Sequence, residues 1–141
     1  MKDTELKEAR DRDLFLCYQQ ALRTYNFRYE AEVVDFICSC PAPRFYISSD
    51  ECSNLLGHFF AGKRLERMHP LAYKRLRTLA ERYKECVRGE NGMKGLSRDR
   101  VCEIIVDMPA PEFYVSPDYA RKIIKRQIAK HNEEFLRRKA V

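Results

Sequence analysis

Apolar residues recur along this chain with a period near 3.6 residues, which predicts α-helices rather than strands. The first predicted helix runs from about Asp11 to Tyr25, and its apolar face consists of Leu14, Cys17, Tyr18, Ala21, Leu22 and Tyr25. A second covers Glu30 to Cys38 and ends before Pro41, because a proline disfavours helical backbone in the residue that precedes it. No segment alternates apolar and polar residues over a useful length. The pattern therefore predicts an all-α protein.

Serine residues mark the starts of three further helices. Ser48, with Glu51 three residues later, fits a capping box, and Ser97 and Ser116 are predicted N-caps. Gly62 is the predicted C-terminal stop of the helix that Ser48 opens. Together with a basic helix over 70–88, these signals predict about six helices. In the last one, the residues predicted to point inward are Ala120, Ile123, Ile124 and Phe135.

An eight-residue segment occurs twice in the chain. Residues 41–48 read Pro-Ala-Pro-Arg-Phe-Tyr-Ile-Ser, and residues 109–116 read Pro-Ala-Pro-Glu-Phe-Tyr-Val-Ser. We interpret this as an internal duplication of a helix–elbow–helix unit, with copies at approximately 29–62 and 97–130. The copies are joined by the basic helix and by a glycine-rich linker at 89–97. We expect a single compact domain over residues 1–141 with pseudo-twofold symmetry, in which each elbow stops one helix and starts the next.

The net charge of +6 is concentrated in two stretches. Residues 57–88 carry nine basic and three acidic side chains, and residues 117–141 carry eight and three. A basic stripe on a helix can bind phosphates by releasing their counterions, which predicts a nucleic-acid-binding protein. The predicted binding residues are Arg121, Lys122, Lys125, Arg126, Lys130, Lys63, Arg64, Arg67, Lys74 and Arg77.

Two other interpretations of the basic residues stay open. Both stretches could be ordinary solvated helix faces, since Glu81 and Glu85 share a face with the cations of the fourth helix. The chain could also be a structural or adaptor protein, such as a virion component or an inhibitor of a host protein, that binds a protein partner. The oligomeric state is open as well.

No pattern of catalytic, cofactor-binding or metal-binding residues emerges. The chain has neither a glycine-rich phosphate loop nor a Gly-x-Ser-x-Gly sequence, so we expect no enzymatic activity and no cofactor. Cys38, Cys40, Cys52 and His58 form a nominal zinc set, but Cys38 and Cys40 lack the usual two-residue gap. We interpret the six cysteines as reduced core residues, and we expect no metal site.

Targeting signals are absent from the N-terminal residues, and no apolar run is long enough to span a bilayer. We therefore expect a cytoplasmic protein with no membrane partner.

One combination of features resembles a known set of proteins. It consists of the early helix with Leu14, Phe15, Tyr18, Ala21 and Leu22, the two Pro-Ala-Pro-x-Phe-Tyr elbows and the basic tail. This combination resembles small uncharacterised proteins from gut Bacteroidetes and their phages or mobile elements. The resemblance implies a phage or mobile-element context, in a bacterial host cell or associated with a virion, and it implies no particular activity.

Overall fold

A computed structural model of the chain describes residues 2–89 and 95–140. This part of the chain forms six α-helices and no strand, which confirms the all-α prediction. The helices are α1 (Asp3–Thr24), α2 (Glu30–Cys38), α3 (Ser49–Phe60), α4 (Pro70–Val87), α5 (Arg98–Ile105) and α6 (Pro117–Lys139). The middle of the predicted glycine-rich linker, residues 90–94, lies outside the described residues.

The chain divides into two compact units. Unit 1 comprises Met1–Leu6 with Pro43–Ala110, and unit 2 comprises Lys7–Ala42 with Pro111–Val141. In unit 1, α3 packs on α4 and α5, and α4 packs on α5; in unit 2, α2 packs on α6. Each unit therefore contains the first helix of one sequence copy and the second helix of the other. The single domain, its pseudo-twofold symmetry and the duplication itself stay predictions.

The two elbows share the same local backbone geometry. Tyr46 and Tyr114 occupy the left-handed region at φ 56° and 57°. Ser48 and Ser116 follow as N-caps in extended conformation, and their hydroxyl oxygens accept the N–H of Glu51 and Tyr119 at 3.1 and 3.2 Å. The predicted caps are confirmed at both positions, so both elbows start the next helix by the same hydrogen bond.

The core of unit 1 consists of fully buried aliphatic side chains from three helices, with Phe45 and Ile47 of the first elbow. These side chains include Leu56 of α3, Leu76 and Leu79 of α4, and Val101 and Ile105 of α5. At the edge, the Ser53 hydroxyl donates to a carboxylate oxygen of Asp99 at 2.5 Å, which ties α3 to the start of α5.

Unit 2 buries one side of α6 where that helix packs on α2. Val34 and Ile37 of α2 and Ile123 and Ile124 of α6 are buried completely or almost so. Because the apolar residues of α6 lie inward at this point, the opposite side of the same helix is turned to solvent.

Some boundaries and burial predictions were wrong. The first helix begins at Asp3 rather than Asp11, because Leu6 and Ala9 are buried and continue the apolar spacing of Leu14 towards the N-terminus. The prediction also placed three exposed residues inward: Leu22, Tyr25 and Phe135, of which Phe135 is 54% exposed. Each of them lies near the C-terminal end of its segment, where helical periodicity continues but burial does not.

We expect the N-cap of α6 to contribute measurably to stability. Replacing Ser116 with Ala leaves the Tyr119 N–H without its acceptor and should lower the free energy of unfolding by about 1 kcal/mol. Ser116→Asp should retain most of that stability, because a carboxylate accepts the same bond. Urea unfolding followed by circular dichroism measures both variants, and equal midpoints for Ser116→Ala and the natural chain would contradict the assignment.

Candidate nucleic-acid interface

The predicted cations of α6 lie on the solvent side of unit 2. Lys122, Lys125, Arg126 and Lys130 are exposed, while Arg121 is half-buried. Arg121 and Lys130 are nine residues apart, so they lie on opposite sides of the helix. Lys122, Lys125 and Arg126 occupy the surface between them. We call these five residues the α6 basic face.

Carboxylates do not neutralise the α6 basic face. The helix carries no acidic residue between Asp118 and Glu133, and Glu133 lies 3.7 Å from Arg137 instead. Within the described part of the chain, no ion pair involves Arg121, Lys122, Lys125 or Lys130. Like charges three and four residues apart on a helix repel one another by a few tenths of a kcal/mol per pair. An anion bound here would relieve that repulsion.

Arg126 is held in place by an aromatic ring of its own unit. Its guanidinium carbon lies 5.8 Å from the centre of the Tyr119 ring, and the corresponding atom of Arg10 lies 5.2 Å from the same centre. Arg10 also donates to the Tyr119 hydroxyl at 3.3 Å. Tyr119 thus positions two cations side by side, one from α1 and one from α6. Sequence reasoning missed Arg10, because 109 residues separate it from Tyr119.

The arginines change the acidity of this tyrosine. Hydrogen bonds donated by Arg126 and by Arg10 lower the pKa of Tyr119, since they favour the phenolate. Arg10 also forms an ion pair with Asp11 at 3.1 Å, so part of its charge is already compensated. Arg126 is the cation of this cluster that has no carboxylate partner among the residues described.

The other predicted cations belong to unit 1. Lys63, Arg64 and Arg67 are exposed in the segment between α3 and α4, and Lys74 and Arg77 are exposed on α4. Glu66 lies 3.9 Å from Arg64, but both side chains are largely exposed, so this pair contributes little. These five cations and the α6 basic face are in different units. That they bind one ligand together stays a prediction.

The predicted site did not include the aromatic rings that lie next to the unit 1 cations. Phe59 lies 6.5 Å from Tyr73 and 5.7 Å from Phe60, and Phe60 lies 5.4 Å from Tyr83, measured between ring centres. Tyr73 is 38% exposed and Phe60 is 39% exposed. The pattern of the sequence did not distinguish exposed rings from core rings.

Histidine and cysteine residues have packing roles where their contacts are described. His69 caps α4, because its Nδ1 accepts the N–H of Leu71 at 3.2 Å, and His131 lies against Phe15. Burial raises the pKa of the Cys38 thiol to about 11, so this thiol is protonated near neutral pH. Among the described residues, no group of three or more His, Cys, Asp or Glu could hold a metal ion.

Comparison of the chain with protein-family models, curated proteins and solved structures finds no match. Among the described helices, none combines the length and the apolar character needed to cross a bilayer.

We expect the Arg10–Tyr119–Arg126 cluster to be visible in a tyrosine titration. Replacing Arg126 and Arg10 with Gln removes both charged donors and should raise the pKa of Tyr119 towards the ordinary value of about 10. Ring-carbon NMR of labelled tyrosine follows each phenol separately, and Tyr119→Phe identifies the signal. Arg23→Gln, at the other end of α1, should leave the pKa of Tyr119 unchanged. A Tyr119 that titrates identically with and without both arginines would exclude the cluster.

Proposed function

We propose that this chain is a small nucleic-acid-binding protein that holds backbone phosphates and catalyses no reaction. The observation that supports this function is the α6 basic face. No described carboxylate neutralises its cations, and Arg126 contacts the ring of Tyr119 instead. Cations in such an arrangement bind a polyanion by releasing its condensed counterions. The resemblance to proteins of phages and mobile elements suggests the same context for this function.

The charges on α6 set how binding should depend on salt. If about four phosphates are neutralised, the affinity should fall about 100-fold between roughly 50 and 200 mM salt. Phosphate contacts carry little sequence information, so we expect modest sequence preference. Fluorescence anisotropy with labelled duplex and single-stranded DNA, each at both salt concentrations, measures these two properties.

Reversing charge on the α6 basic face should abolish binding of duplex DNA. Lys122→Glu with Arg126→Glu replaces two cations with two anions on exposed positions, where folding should be unaffected. Lys7→Glu with Arg12→Glu is the matched control, because it makes the same change of net charge at exposed positions of α1. If the control loses as much affinity as the α6 variant, binding reflects net charge and not this face. No binding at low salt by the natural chain would refute the proposed function.

A second candidate function, binding of a protein partner, is favoured by exposed apolar side chains at the end of α6. Phe135 is 54% and Leu136 is 65% exposed, and Nζ of Lys139 lies 4.8 Å from the centre of the Phe135 ring. Exposed large apolar residues are common singly but more informative in adjacent positions. Under this alternative, a pull-down returns one protein partner without nucleic acid, and Phe135→Ser with Leu136→Ser prevents its capture.

A further inference from the structure

Two recesses on the surface of unit 1 flank the Phe59–Phe60 ring pair. The larger, a groove of about 550 Å³, is walled by Phe59, Met68, Pro70 and Tyr73, with Lys63 and Arg64 at its rim. The smaller, of about 310 Å³, is lined by Phe60, Tyr83, Val87, Lys84 and Arg88. Each recess therefore combines aromatic and apolar walls with two cations.

Cations also lie over the faces of the rings. Arg77 and Lys84 have their charged atoms 5.6 and 5.9 Å from the centres of the Tyr73 and Phe60 rings. Tyr73, Arg77, Lys84 and Arg88 are spaced so that they follow one side of α4. The rings and these cations thus form a strip along one side of the helix, interrupted by Glu81, which we call the aromatic–cation strip.

Three glutamates of the described chain lie near the strip. Glu66 lines the larger recess, but its contact with Arg64 is 3.9 Å long and solvent-exposed. Glu81 is exposed on the same side of α4 as the strip, between Arg77 and Lys84. Glu85 lies 3.9 Å from Arg82, which is outside the strip. The five cations beside the recesses outnumber these glutamates, so the net charge is positive and favours a ligand that brings negative charge together with flat apolar surface.

We infer that the aromatic–cation strip binds single-stranded nucleic acid, with one unpaired base against Tyr73 in the larger recess and another against Phe60 in the smaller one. The backbone phosphates lie against Lys63 and Arg64 at one end of this path and against Lys84 and Arg88 at the other. This inference rests on the proposed function, and it adds a ligand class that the α6 basic face alone does not select.

Single strands fit this surface better than the other polyanions do. In a duplex, neighbouring bases cover the flat faces of each base, so exposed aromatic side chains cannot stack on them unless the bases unstack. In a single strand, every base offers a face, and stacking on aromatic side chains combines with a cationic path for the backbone. An acidic peptide matches the charges but has no requirement for two exposed rings.

The test compares two probes of equal charge with the full chain. One is a thymidine oligonucleotide of about ten nucleotides, and the other is an abasic phosphodiester of the same length. Stacking contributes about 5- to 150-fold in affinity per base, so the oligonucleotide should bind tighter than the abasic probe by at least the lower figure. Phe60→Leu with Tyr73→Leu should remove this difference and leave binding of the abasic probe unchanged.

Control variants separate loss of the rings from loss of the fold. Phe60→Tyr with Tyr73→Phe keeps both rings and should bind the oligonucleotide like the natural chain. Tyr29→Leu removes a ring that is 63% exposed in unit 2 and should have no effect. A Phe60→Leu, Tyr73→Leu variant with an unchanged circular dichroism spectrum and unchanged affinity for the oligonucleotide would overturn the inference.

Failure of the inference differs from failure of the proposed function. If both probes bind equally, the phosphates carry all the affinity: the proposed function stands, and base stacking on the strip is excluded. If neither probe binds but duplex DNA does, the inference is refuted and the proposed function stands; if duplex DNA does not bind either, both are refuted. If a poly-glutamate peptide binds the strip as tightly as the oligonucleotide does, and the ring variants do not distinguish the two, the surface fits an acidic protein and the inference is overturned.

Discussion

The rest of this fold depends on two prolines, Pro41 and Pro109. Proline has no backbone N–H to donate, and it disfavours helical backbone in the residue before it. The helices α2 and α5 end before these prolines, and the chain leaves one unit for the other at equivalent points, between Ala42 and Pro43 and between Ala110 and Pro111. The left-handed tyrosine that follows in each elbow costs of order 1–3 kcal/mol, so it persists only where surrounding contacts hold it. The elbows therefore decide which helices can pack together: α2 with α6, and α3 with α5.

Helix packing then decides which side chains face solvent. Because Ile123 and Ile124 are buried where α6 packs on α2, Lys122 and Lys125 are placed on the opposite side of the helix, where no described ion pair holds them. The burial of Leu76 and Leu79 acts in the same way on α4 and leaves Arg77 and Lys84 outside. The two surfaces differ in chemistry, however. The α6 basic face carries one adjacent ring, Tyr119, which has two arginines over it, whereas Tyr73 and Phe60 of the unit 1 strip each have one cation over the ring and also line a recess.

Local rules were sufficient to predict the helices and their caps, because a proline stop or a serine cap acts within a few residues. They failed where tertiary contacts decide the outcome. Phe135 continues the apolar period of α6, but nothing covers it enough to bury it, and its exposure cannot be read from spacing alone. The pairing of Arg10 with Tyr119 and the exposure of Phe60 and Tyr73 depend on which helices become neighbours. The cations of the candidate interface could be predicted because charge is visible in the sequence; the recesses beside them could not.

The cations of α6 do not all have the same physical explanation. Arg137, Arg138 and Lys139 occupy the last turn, where positive charge interacts favourably with the helix dipole, and Arg137 has Glu133 as a partner. These residues have a role in the helix itself. Lys122, Lys125 and Lys130 lie away from both helix ends, and in the described chain they form no ion pair with a carboxylate. A solvated surface could carry the same number of charges at lower cost by alternating their signs. The repulsion between closely spaced cations such as Lys122 and Lys125 is the physical reason to propose that these residues, rather than the basic end of the helix, bind a polyanion.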